Sequence, residues 1–246
     1  MIVPSEAELP QPVRATPPAL VALVAPDIGM ERQARTGKPG IAVAIAMACA
    51  LFAAFAQSVR VDARSATLQK LEKDGQLATM SEKAIEDETR NAERLYQVMR
   101  VAGGAAEAPL FLLLGALSVV VLVWFLRGRL KGRAVFPVAA AVLLPGAIAN
   151  LLDAITALRQ DSLPAGRATL APRTVSAVLA ALGHPLAGAA MKLGNTVDFF
   201  SLWAALLLAF GVAAAGEVPT RRALIGTLCA WLCYRLVVSV AIGGGA

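Results

Sequence analysis

The stretch VDFFSLWAALLLAFGVAAAGEVPTRRALIG, residues 197–226, decides how this chain is read. Asp198 and a group of aromatics open an apolar run. The run ends at Glu217, and Pro219, Arg221 and Arg222 follow at once. Residues 199–216 carry no charge, and a helix of that composition about 20 residues long matches the hydrocarbon thickness of a bilayer. Charged and aromatic residues at both borders mark where such a helix leaves the lipid.

Four more runs of the same kind lie along the chain, so the expected spans are about 39–59, 103–126, 134–158, 199–216 and 222–242. The composition agrees, with 57% hydrophobic residues, 16% charged residues and a mean hydropathy of +0.65. A soluble domain carries about 25% charged residues. The expected fold is therefore all-α, a polytopic bundle of five transmembrane helices over residues 39–242. A Pro-rich tail, 1–38, precedes it, and a charged helical extramembrane loop, 60–102, interrupts it. The prolines at 4, 10, 12, 17, 18 and 26 predict a flexible cytosolic tail. Its apolar patch ALVALVAPDIGM (19–30) suits a membrane surface.

Within GIAVAIAMACALFAAFA (40–56), Ala54-Phe55-Ala56 has the form of a signal-peptidase site. The long Pro-rich stretch before it favours a retained helix. Ala42, Ala46, Ala50 and Ala54 recur every fourth residue, a small-residue stripe that lets a second helix approach closely. The loop 60–102 holds eight Lys/Arg and eight Asp/Glu. It reads as a solvated helical hairpin broken at Gly75, with Thr79 and Glu82 as a capping box. Pro145 and Gly146 in the third run predict a kink. The segment 171–194 is amphipathic enough to lie in the interface.

Orientation follows from the short basic loops. RGRLKGR (127–133), Arg221 with Arg222, and Arg32, Arg35 and Lys38 fall on one side when the N-terminus is cytosolic and the C-terminus outside. The net charge of +6 is explained by these flanks, and no basic stripe with interleaved aromatics points to nucleic acid.

Ionisable or strongly polar residues inside spans are functional candidates by default. Four stand out: Asn150, Asp153, Asp198 and Arg235. Arg235 is expected to pair with Asp153 or Asp198, either to lock helices together or to form a polar nook for an ion, proton or lipid headgroup. Enzyme chemistry finds no support. His184 is the single histidine, and no HExxH, GxSxG or Gly-rich phosphate loop occurs. GNTVD (194–198) is not an intramembrane aspartyl-protease motif. Cys49, Cys229 and Cys233 lie in apolar runs without metal-ligand spacing, so neither a metal nor a cofactor is expected.

Three segments resemble the Yip family, the Ypt/Rab-interacting-protein domain, in its bacterial form. The first is the opening hairpin stretch, through Asp198, Phe200, Ser201, Leu202, Trp203, Gly211, Arg221 and Arg222. The others are LATMSEKAIEDETRNAERLYQVMR (77–100) and RAVFPVAAAVLLPGAIANLL (133–152). The resemblance implies a five-helix membrane domain with a cytosolic N-terminus, in a bacterial cytoplasmic membrane. It implies a non-enzymatic scaffold for membrane organisation, partnered by lipid and by other membrane proteins or a second copy. The acidic-aromatic stretch of eukaryotic members is not found in residues 1–38, so a GTPase partner is not carried over. The rival reading is a small-solute or ion transporter or channel subunit built on a nook around Asp153, Asp198 and Arg235.

Overall fold

The computed structural model describes residues 16–160, 163 and 171–243. Residues 1–15 of the expected tail and 161–162, 164–170 and 244–246 lie outside the described residues. Every named element is a helix: α1 (Pro18–Ala22), α2 (Pro26–Thr36), α3 (Pro39–Arg60), α4 (Ala63–Lys73), α5 (Glu82–Phe125), α6 (Gly132–Val142), α7 (Leu144–Leu158), α8 (Val175–Ala181), α9 (Gly188–Thr196), α10 (Phe199–Gly216) and α11 (Thr220–Gly243).

Four helical stretches among the described residues are long and apolar enough to cross a membrane: α3, the apolar half of α5, α6 with α7, and α10. Their outward faces carry Phe55, Phe111, Leu113, Leu117, Trp124 and Phe125, all exposed. Apolar surface of that extent is a liability in water and a fit to lipid. The chain is a membrane protein. The fifth expected span, α11, is a continuous helix of 24 residues but is not one of the four.

The tail departs from expectation. Residues 18–36 fold into α1 and α2, and α2 packs between α6 and α10. The prolines that argue for disorder sit where they cost a helix nothing. Pro18, Pro26 and Pro39 each start a helix, where the missing N–H would be unpaired anyway. Ala22 and Met30 are fully buried, and Gln33 donates from Nε2 to the Pro137 carbonyl at 3.1 Å.

Small residues build the bundle. Ala42, Ala46, Ala50 and Ala54 are all buried on the α3 face that meets α5 and α7. A Cβ on Gly104 of α5 would lie 2.8 Å from Ala54 Cβ, so only glycine fits at this crossing. In α10, a Cβ on Gly211 would lie 2.3 Å from Val138 Cγ1 and 2.7 Å from Met30 Cε. α6 sits at the centre, with Val138, Ala139, Ala140 and Ala141 sealed from solvent. It parts from α7 at Leu143, and Pro145 lies in the first turn of α7.

At the basic end, the loop after α5 caps α10. Arg129 and Lys131 donate backbone N–H groups to the carbonyls of Gly216 and Ala215 at 2.7 and 2.8 Å. These are carbonyls a helix end leaves without internal partners. Lys131 Nζ also reaches Glu217 Oε1 at 3.0 Å.

At the opposite end, α4 and α5 form the expected hairpin, turning at Gly75 with φ +69. The cap differs. Ser81, not Thr79, accepts the Ala84 N–H, and Thr79 instead donates to the Gln76 carbonyl. The helix starts too late for Thr79 to serve as its cap. The hairpin and the membrane segment are one helix: α5 runs 44 residues without a break, about 66 Å.

Candidate functional site

A polar cavity of about 270 Å³ opens at the hairpin end of the bundle. Three helices and one loop form it. α3 contributes Ala50, Ala53, Ala54 and Gln57, and its small side chains leave the space. α5 contributes Arg100, Gly103, Gly104 and Glu107, spaced to share one helical face. α7 adds Asn150 and Asp153, three residues apart and hence on one side. The loop before α8 supplies Arg173.

Each polar side chain of the lining makes at least one hydrogen bond. Asn150 Nδ2 donates to Glu107 Oε1 at 2.7 Å. Arg100 Nη2 donates to Gln57 Oε1. Asp153 is 2% exposed and its carboxylate faces two donors: the Ala171 N–H at 2.8 Å on Oδ1, and Arg173 Nη2 on Oδ2. Arg173 also reaches the Ala149 carbonyl at 2.9 Å. Arg173 is placed there by its backbone. Its carbonyl accepts the Phe199 N–H at 3.0 Å, Val175 N–H reaches the Val197 carbonyl at 3.1 Å, and Thr174 pairs antiparallel with Asp198. A short ladder thus ties the loop to the start of α10.

This corrects the expected ion pair. Among the described residues the cation on Asp153 is Arg173, not Arg235. Asp198 turns back on its own helix, accepting the Phe200 and Ser201 N–H groups at 2.9 and 3.4 Å as the α10 N-cap. That is what a carboxylate one residue before a helix does best. Arg235 reaches the Asn195 carbonyl at 3.5 Å. Of the four candidates, Asn150 and Asp153 line the cavity, and Asp198 and Arg235 do not.

The remaining candidates have structural places. Gly146 has open space around it, beside Pro145 at the α6–α7 break. Phe200, Ser201 and Leu202 form the first turn of α10, and Trp203 packs on the main core. Arg221 and Arg222 are exposed at the start of α11. Among the described residues no group of three or more His, Cys, Asp or Glu is placed to hold a metal.

Sequence reasoning missed Arg100, Glu107, Gln57 and Arg173. Two signals were legible. Glu107 is the lone carboxylate in the run 103–126, and Arg100 stands two turns before it with Gly103-Gly104 between. Arg173 had none, because its role depends on a backbone pairing.

No family model, curated protein or solved structure matches this chain.

Proposed function

We propose that the chain is a non-enzymatic, five-span integral membrane protein of the Yip type, a scaffold that holds partner proteins or copies of itself at the membrane. The N-terminus is cytosolic, the C-terminus outside, and the membrane a bacterial cytoplasmic one. The observation that carries the reading is the unbroken α5. Its apolar half crosses a hydrocarbon core of about 30 Å. Its charged half continues beyond, past Pro109 inside the helix, and packs against α4. Such a rod transmits the position of the bundle to whatever touches the hairpin. Lys83 and Arg94 lie on that half, and photo-crosslinkers placed there in intact membranes should give discrete protein adducts. A hairpin that yields none, in a protein that moves solute in vesicles, contradicts the scaffold.

A second reading, a small-solute or ion transporter, is favoured by one observation: two carboxylates and two guanidinium groups line a cavity among apolar helices, one of which is broken at Leu143–Pro145. Its nook centres on Asp153, Glu107, Arg100 and Arg173. Flux in proteoliposomes separates the two readings.

A further inference from the structure

We propose that the cavity between α3, α5 and α7 binds a small zwitterion, a molecule carrying an oxyanion and an ammonium group, with the oxyanion on Arg100 and the ammonium on Glu107.

The argument starts from how the four charges are matched. Asp153 and Arg173 satisfy each other as an ion pair in the wall. Arg100 and Glu107 do not. Among the described residues each meets only a neutral amide, Gln57 for the guanidinium and Asn150 for the carboxylate. Among the described residues the lining is thus neutral overall and polarised, with one cation and one anion that meet no opposite charge. Both lie on α5, seven residues apart, about 10.5 Å along the helix axis. A half-buried ionised group favours a partner of opposite charge. A single ligand with both charges supplies both.

One further observation points to a ligand, beside the fact that an oxyanion is the acceptor that suits the Arg100 guanidinium best. The space between the charges is kept clear. Gly103 lines the cavity, and a Cβ there would meet nothing within 4 Å, so close packing does not require the glycine. A volume near 270 Å³ suits a headgroup or a small amino acid rather than a larger molecule.

Phosphoethanolamine at the end of a lipid and a free α-amino acid share this chemistry. The site stands apart from the scaffold reading, since binding without flux leaves both intact.

The test uses the full chain in nanodiscs, with O-phosphoethanolamine and glycine as zwitterions and glycerol 3-phosphate and ethanolamine as single-charge controls. The zwitterions should bind about tenfold more tightly than either control, the factor one charge-assisted hydrogen bond contributes. Arg100→Gln should erase the advantage over ethanolamine, and Glu107→Gln the advantage over glycerol 3-phosphate. Gly103→Leu fills open space in a helix, should leave the unfolding temperature unchanged or higher, and should abolish binding. Phosphatidylethanolamine retained over phosphatidylglycerol in native mass spectra supports the site with a lipid as source. Glycine binding without such retention supports it with a free solute. Controls that bind as tightly as the zwitterions overturn the proposal. So do a Gly103→Leu protein that binds like the unaltered chain, and an absence of both zwitterion binding and retained phosphatidylethanolamine.

Discussion

Asp153 and Arg173 show how a residue's role is set by what reaches it. Both side chains are mostly buried, at 3% and 15% exposure. Breaking such a pair by removing one partner leaves a charge without compensation and costs about 3–5 kcal/mol. Arg173→Leu and Asp153→Leu should each lower stability by that order in denaturant unfolding. The double substitution should cost clearly less than the sum, and simple additivity would show that the two do not interact. At the membrane exit, Asp62 caps α4 by accepting the Ser65 N–H at 2.9 Å and the Ser65 hydroxyl at 2.6 Å. The Ser65 hydroxyl first, then its N–H, hold the Asp62 carboxyl below its usual range. A depressed carboxylate stabilises the fold fully above the ordinary Asp value of about 3.9. That contribution fades as pH falls through the lower folded value. Asp62→Asn should flatten this acid limb of hairpin stability, measured by hydrogen exchange of α4 against pH. Glu217 behaves in the same sense, its pKa lowered by the Lys131 hydrogen bond and charge.

Elements meet here through small residues, and the cost of enlarging one depends on what faces it. Gly211 faces Val138 and Met30, so Gly211→Leu should force α2 or α6 aside and cost about 1–3 kcal/mol. Gly146, in open space, should accept Ala with little change. Equal thermal shifts for the two variants would contradict the packing described. The same scale shows what the sequence could and could not reveal. Spans α3, α6–α7 and α10 were readable because apolar runs end abruptly in charge. The Ala42–Ala54 stripe was readable because a four-residue period places one face against one neighbour. The folding of α1 and α2 was not, because proline content signals disorder unless each proline is known to occupy a helix start. The partner of Asp153 was not, because Arg173 arrives from 20 residues away through a ladder with Val197–Phe199.

At the scale of the whole molecule, the bundle is bipolar. One end gathers Arg129, Lys131, Arg221 and Arg222 around a loop that caps α10. The other bears the polar cavity and the projecting hairpin. The proposed orientation rests on this asymmetry, through the bias of short basic loops. The central claim is that the protein crosses the membrane with these two ends on opposite sides. Labelling of single introduced cysteines tests it most directly, after replacement of Cys49, Cys229 and Cys233. With Ile85→Cys in the hairpin, Leu130→Cys in the basic loop and Gly244→Cys near the C-terminus, an impermeant reagent on intact cells should label 85 and 244 and leave 130 untouched. Labelling of 130 from outside, or of 85 and 130 from the same side, would contradict the account. Protection of 244 would remove α11 as a span.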